Sequence, residues 1–403
     1  MVGEIVELTE IKLKDVIISA NTGADAIQRA PIVEYNTGIK CLRIGDISNK
    51  RKYNDWGYTN VNEDNYKRYK LRKGNIIIAR TGSTVGINKY IENDYNSVYN
   101  NGLIRLVIDE TKYNSRFIYY IIQMKEFRNY ISGIAFGTTG QPNIQINDLL
   151  NFRFKNITLK KQNIIVNILS KIDEKIELNN QINDNLHDLA EQLFIEIYIN
   201  GSEGTLGELL ESVSTGSRPK GGAQSEGIPS VGAEKIEKFG VYDYSSEKYI
   251  SEEFYEKLKK GKMKSGDVLL YKDGAYTGKV SMCLNGFPHR KSAVNEHVFI
   301  LNTKDNWAQN YLYFTLYNKE NKEMLERLAG SKAAQPGLNQ VELKSLKIKI
   351  CAKETIKNFE SNVKPIMENI ANNSLENKKL AELRDTLLPK LMNGEIDLEK
   401  VKI

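Results

Sequence analysis

Cysteine is scarce in this chain: Cys41, Cys283 and Cys351 are the three in 403 residues, and none stands close enough to another for a CxxC pair. That spacing argues against both a disulfide framework and a zinc knuckle, and three buried thiols are expected. Histidine is equally sparse. His187 falls on an acidic helical stretch, where a surface position is expected, and His289 and His297 stand around a turn without a metal-binding spacing. No metal and no cofactor is expected. Long apolar runs are missing too, since nothing approaches the roughly eighteen residues that a membrane span requires. Met1 to Glu10, with Glu4, Glu7 and Glu10, lacks a basic-then-apolar signal pattern, so a cytoplasmic protein without membrane contact is expected. What is present is 40% hydrophobic and 27% charged residues, a globular composition. The length suits about two to three domains, each with its own core.

The net charge of +6 is modest but unevenly spread. Lys40 to Lys89 holds twelve Lys/Arg against four Asp/Glu, and Lys257 to Lys291 holds nine against two. Between Lys171 and Glu211 the balance reverses, with two against ten. A single charged run is usually a solvated face. Two basic blocks at matching places in a repeated chain ask for a common acidic partner.

The repeat is direct. Leu71-Arg72-Lys73-Gly74-Asn75-Ile76-Ile77-Ile78 recurs as Met263-Lys264-Ser265-Gly266-Asp267-Val268-Leu269-Leu270, and Thr81-Gly82 with Gly86 recurs as Asp273-Gly274 with Gly278, all 192 positions apart. Gln141-Pro142 through Leu149 recurs as Gln335-Pro336 through Leu343, now 194 apart, so the order of elements is kept and one loop differs in length. Each copy opens with short β-rich runs separated by Gly/Asn turns, such as Ile76 to Ala79, Leu103 to Ile108 and Val298 to Leu301. Each then passes into a stretch with apolar residues at helical spacing. The first stripe is Ile165, Ile168, Ile172, Ile176, Ile182, Leu186, Leu189 and Leu193; the second is Phe359, Val363, Ile366, Ile370, Leu380, Leu383 and Leu387. Steps of three and four over about thirty residues predict a long helix facing another helix. Asn179 and Asn373, 194 apart, interrupt the stripes near their middles, and an asparagine at a seam fixes register at some cost in stability. Two helices lying side by side and antiparallel are the simplest arrangement, with Ile165, Ile172, Asn179, Leu186 and Leu193 meeting Phe359, Ile366, Asn373, Leu380 and Leu387.

Enzyme motifs do not hold up. Gly274 to Gly278 followed by Lys279 superficially has the look of a phosphate loop, but three residues separate its glycines where a Walker loop needs four, and Val280 stands where Ser or Thr is required. The matching Gly82 to Gly86 segment has no following lysine. Tight strand-to-strand turns that hold Arg80 and Lys272 beside them fit both copies better. Ile172-Asp173-Glu174-Lys175 lies on the seam helix, where ion pairing is the expected use.

Taken together, Lys73-Gly74-Asn75-Ile76 with Gly82 and Gly86, Ser265-Gly266-Asp267-Val268 with Gly274 and Gly278, the two Gln-Pro segments and the tail Leu387 to Glu395 resemble the specificity subunit of type I restriction-modification systems, over essentially the whole chain. The resemblance implies an α+β chain: two mixed α/β target-recognition domains alternating with two long helices that pair as an antiparallel coiled coil, in a pseudo-two-fold internal repeat. The expected boundaries are 1–157, 158–200, 201–351 and 352–403. It further implies recognition of a split double-stranded DNA site, two methyltransferase subunits that modify adenine, restriction and translocation subunits in the full complex, and no catalysis by this chain. A stand-alone DNA-binding or architectural protein is the alternative. Basic blocks can neutralise phosphates, whereas sequence reading needs side chains at base edges. The candidates are Arg43, Lys50, Arg51, Tyr53, Arg80, Ser83, Thr84 and Lys89 in the first copy, and Arg218, Lys220, Lys235, Lys272, Tyr276, Lys279, Arg290 and Lys291 in the second.

Overall fold

The structure is a computed structural model, and it describes residues 10–135, 142–274, 276–330, 337–393 and 395–396. Gln141, Gln335, Pro336 and Gly394, which carry part of the sequence motifs, lie outside the described residues, as do Met1 to Thr9. The chain forms two compact units, one of residues 1–172 with 382–403 and one of residues 173–381. Each takes one β-rich region together with parts of both long helices.

The first unit is built on an antiparallel four-stranded sheet in the order Ile17–Thr22, Leu103–Ile108, Ile76–Ala79, Asn88–Tyr90. Ile76, Ile77, Ile78 and Ala79 are all fully buried, which is why this strand reads as an unbroken apolar run. One face packs against the helices Ser115–Gln123 and Lys125–Ala135 through Phe117, Ile121, Phe127 and Ile131. The other meets a small sheet in which Lys40–Leu42 pairs parallel with Ser97–Tyr99 and antiparallel with Tyr58–Thr59.

The second unit repeats this plan. Its sheet runs Leu210–Thr215, Val298–Thr303, Val268–Tyr271, Val280–Met282. The small sheet again contains a parallel pair, Ile228–Val231 with Ala293–Val294, and an antiparallel neighbour, Tyr249–Ile250. Even the irregularities recur: the edge strand shifts register between Ile17 and Ser19 in one unit and between Leu210 and Ser212 in the other. A register shift repeated in two copies with different side chains is a feature of the backbone plan, not a local accident.

The long helices are Leu159–Tyr198 and Lys353–Met392, forty residues each and offset by 194 at both ends. They exceed the thirty or so residues predicted. Within the second unit they run antiparallel, since Asn179 bonds to Asn377 while Asn183 bonds to Asn373. In the first unit Ile165 and Leu169 of one helix and Leu388, Leu391 and Met392 of the other join the core.

The buried face differs from the predicted stripe in the second unit. Ile182 and Leu189 are exposed there, at 38% and 49%, and Leu383, which belongs to the first unit, is exposed as well, at 48%. Asn179 is buried, and the row continues on the first helix through Asn183, His187, Ala190, Phe194 and Tyr198. These keep helical steps of three and four, but half of the row is polar, so a search for apolar periodicity settles on the neighbouring face. Asn179 and Asn373, expected at the seam, do not bond to each other. Asn179 donates to Glu376 Oε2 at 2.7 Å and Asn377 Oδ1 at 2.8 Å, and Asn373 donates to Asn183 Oδ1 at 2.9 Å. Asn183 in turn donates to Ser374 Oγ at 3.1 Å.

His187 is a further correction: it is buried, with Nε2 2.9 Å from the Tyr313 hydroxyl. That hydroxyl also accepts the Phe239 N–H at 3.1 Å, so its own proton is available for His187 Nε2. Burial holds the imidazole neutral, lowering its pKa to about 3. The three cysteines are buried as expected.

Candidate nucleic-acid interface

The two glycine turns have one geometry. Gly86 N–H donates to Ala79 O at 2.8 Å and Gly278 N–H to Tyr271 O at 2.9 Å. Val85 N–H donates to Gly82 O and Thr277 N–H to Gly274 O, each at 3.2 Å. All four glycines have left-handed backbone, and a Cβ on Gly86 would stand 2.8 Å from Ile131 Cγ2 of the packed helix. Glycine is thus required twice over, by conformation and by close approach.

Arg80 and Lys272 occupy matching places at the start of these turns. Arg80 N–H bonds to Gly102 O at 2.9 Å and its carbonyl accepts Ile144 N–H at 2.8 Å. Lys272 N–H bonds to His297 O at 3.1 Å and its carbonyl accepts Leu338 N–H at 2.8 Å. The backbone therefore presents an arginine in one unit and a lysine in the other from the same sheet end. Arg80 Nε reaches Asn143 Oδ1 at 3.3 Å, and Lys272 Nζ reaches Asp273 Oδ2 at 2.8 Å.

In the first unit, Ser83 is exposed in the turn, with Thr84 and Lys89 half-buried behind it. A second cluster forms around buried Asp46, which holds Arg43 Nε at 3.4 Å and Arg51 NH1 at 3.1 Å. Lys50 and Arg51 are exposed beside it. Tyr53 stacks on Tyr95 with ring centroids 4.6 Å apart and meets Trp56 edge-on, giving a half-exposed aromatic surface.

In the second unit, Arg218, Lys220, Tyr276, Arg290 and Lys291 are exposed. Arg218 lies 3.9 Å from Glu296 Oε1, Lys279 pairs with Glu237 beneath the Tyr276 ring, and Lys291 pairs with Glu252 and Glu256. Those carboxylates come from outside the Lys257–Lys291 block, so its sequence charge overstates the charge displayed. Lys235 departs from expectation altogether. It is buried, and its ammonium donates to the carbonyls of Asp243 and Ser245 and to the Asp243 carboxylate, so it clamps a loop and is not a surface cation.

Sequence reasoning passed over a network beside Lys272. His297 Nδ1 is 3.1 Å from Asp273 Oδ2, and its Nε2 is 3.4 Å from Glu296 Oε1. The first unit has Gly102 and Thr81 at the corresponding places, so the two sheet ends share a backbone and differ in chemistry.

No helix among the described residues is long and apolar enough to cross a membrane. The profile of the type I restriction modification DNA specificity domain matches twice, at residues 5–188 and 202–385. The chain is 25% identical over 419 aligned positions to the type I restriction enzyme MjaIX specificity subunit of Methanocaldococcus jannaschii, covering 97% of this chain and 94% of that one. It is 34% identical over 122 residues to the HindI specificity subunit of Haemophilus influenzae, covering 30% of this chain and 26% of that one. A crystal structure of a type I restriction-modification S subunit from M. genitalium superposes with a TM-score of 0.53 at 17% identity, covering 97% of this chain and 98% of the other, which supports the shared fold. With the duplicated specificity domain matched across both repeats, the chain belongs to the type I restriction-modification specificity subunit family.

Proposed function

We propose that this chain reads a bipartite double-stranded DNA site in the cytoplasm and directs partner subunits to it. The observation that carries the proposal is the repeated sheet end: one backbone geometry displays Arg80 with Ser83 and Thr84 in one unit and Lys272 with Tyr276 in the other. Equal scaffolds with unequal side chains suit two half-sites of different sequence. Arginine, lysine and the half-exposed aromatic rings supply phosphate affinity and base contacts. The chemistry belongs to others in this reading: two methyltransferase subunits modify adenine, and restriction and translocation subunits join in the full complex.

The test is to express the chain with its methyltransferase partner and sequence the methylome. A split motif with two methyltransferase chains per copy is expected. Exchanging residues 11–157 for the first recognition domain of another family member should change one half of that motif and leave the other. A chain that binds no methyltransferase and marks no split site would favour a stand-alone DNA-binding protein.

A further inference from the structure

Gly23 and Gly216 occupy equivalent places in the two units, immediately after the edge strands Ile17–Thr22 and Leu210–Thr215. A Cβ on Gly23 would fall 2.2 Å from Tyr99 O and 2.3 Å from Asn100 O, and one on Gly216 would fall 1.6 Å from Val294 O. Both glycines therefore press the chain against the end of the parallel strand of the small sheet and launch the next loop from there. That loop is tied to the sheet end that holds the turn residues. Gly23 N–H donates to Leu103 O, Ala24 N–H to Tyr99 O at 2.9 Å and Asn101 N–H to Ala24 O at 2.9 Å, while the adjoining Gly102 O accepts from Arg80 N–H. In the second unit the loop carries Arg218 and Lys220, both already DNA candidates. In the first it reads Ala24-Asp25-Ala26-Ile27-Gln28-Arg29-Ala30, which no charge count would select.

The structure of this loop is unusual for a surface turn. Ile27 is 86% exposed, the highest value of any large hydrophobic residue described. It is nevertheless held firmly. Asp25 Oδ1 accepts Gln28 N–H at 2.7 Å and Ile27 N–H at 3.2 Å, Ala30 N–H donates to Asp25 O at 3.0 Å, and Ala24 and Ala30 are buried on either side. Arg29 is drawn back, with NH1 3.2 Å from the Tyr69 hydroxyl and Nε 3.6 Å from Asp25 Oδ2. The exposed tip runs from Ala26 to Arg29; Ala26 offers only a methyl group and Arg29 is held by Tyr69 and Asp25, which leaves Ile27 and Gln28 as the side chains the tip displays. An apolar side chain fixed in water gains nothing for the fold, and an amide beside it forms hydrogen bonds in pairs.

We infer that Ile27 and Gln28 are specificity-determining residues of the first unit, reading an A·T-containing step of its half-site. The Gln28 amide matches the N6 and N7 positions of adenine, and Ile27 supplies apolar contact to a thymine 5-methyl group. Preorganisation by Asp25 removes the ordering cost that a loose loop would bear on binding. The inference rests on the DNA-recognition reading above and assigns to that reading residues outside both basic blocks.

The experiment uses the full chain assembled with its methyltransferase partner. The wild-type methylome first defines the split motif; if no split motif appears, the recognition reading falls and this inference with it. Given a motif, Ile27→Ala and Gln28→Ala should each relax one specified A·T position in a single half-site, with about tenfold weaker discrimination there and the other half-site unchanged. Replacing that thymine by deoxyuridine in a duplex bearing the motif should weaken wild-type binding several-fold and leave Ile27→Ala binding unchanged, because the methyl partner is already gone. Both side chains are exposed, so folding is not at stake. A motif and a deoxyuridine response identical to wild type in both variants would overturn the inference while leaving the recognition reading intact.

Discussion

Glu360 illustrates how much one side chain on a long helix can carry. Its carboxylate accepts Tyr311 N–H at 2.8 Å and Asn310 Nδ2 at 2.7 Å, tying the helix Gln309–Tyr317 to the helix Lys353–Met392. Burial nonetheless pushes its pKa up, from 4.5 to about 7, because the low-dielectric surroundings disfavour the charge more than these two donors favour it. A folded pKa above the unfolded one means that the native state holds the proton more tightly, so the contribution is fully present below the unfolded value and is lost as pH rises through the folded one. The melting temperature should therefore fall between about pH 5 and pH 8 through this group, and Glu360→Gln should flatten that part of the profile; calorimetry across the interval measures it. Cations divide just as sharply. Replacing Arg80 and Lys89, or Lys272 and Lys279, by alanine should weaken DNA binding and flatten its salt dependence. Lys235→Met should leave the salt slope alone and cost about 1–3 kcal/mol of stability through the carbonyls it abandons. Titrations of binding against salt, paired with thermal melts of each variant, separate the two behaviours.

Among the elements, the asparagines of the second unit make the sharpest test of how helices choose a partner. Asn183 bonds to both Asn373 and Ser374. Asn183→Leu should destabilise the protein by about 1–3 kcal/mol, since it strands polar partners in a buried seam, whereas Asn183→Leu with Asn373→Leu should recover much of that loss. Denaturant midpoints for the two singles and the double complete the cycle, and additive losses would show that the pair does not act as a unit. This seam also shows where a sequence stops being readable. Strand Ile76–Ala79, the glycine turns and the existence of two long helices were legible, because each is written in local composition or in the repeat itself. The buried rows of those helices were not. Asn183 and His187 belong to the core because Asn373 and Tyr313 reach them from well over a hundred residues away, and no periodicity records such a partner. The same holds for Lys235, whose burial depends on carbonyls in a loop with no pattern, and for Ile27, which lies outside every charged run.

For the molecule as a whole, the equal length of the two helices and their constant offset invite a direct manipulation. One heptad added to each, near Asn179 and Asn373 but outside the asparagine network, keeps the buried rows in phase and adds about 10 Å of helix. The gap between half-sites should lengthen by about one to three base pairs, given roughly 3.4 Å per step, with both half-site sequences unchanged. Methylome sequencing of the insertion variant reads this directly, and methylation at the original gap would mean that the helices do not set the spacing.

The asparagine network bears on ancestry as well. Asn179 and Asn373 are counterparts under the 194-residue repeat, as are Asn183 and Asn377, and the bond from Asn179 to Asn377 is the counterpart of the bond from Asn373 to Asn183, donor for donor. Each half of the chain thus supplies one residue of each kind and receives the complementary one from the other half. A single half-length gene product could satisfy the same bonds by pairing with an identical copy of itself. Such a homodimer would carry two identical readers and would recognise a palindrome. Joining two copies in one chain would free each reader to mutate alone, so an asymmetric target would come within reach of a duplicated chain and not of such a homodimer.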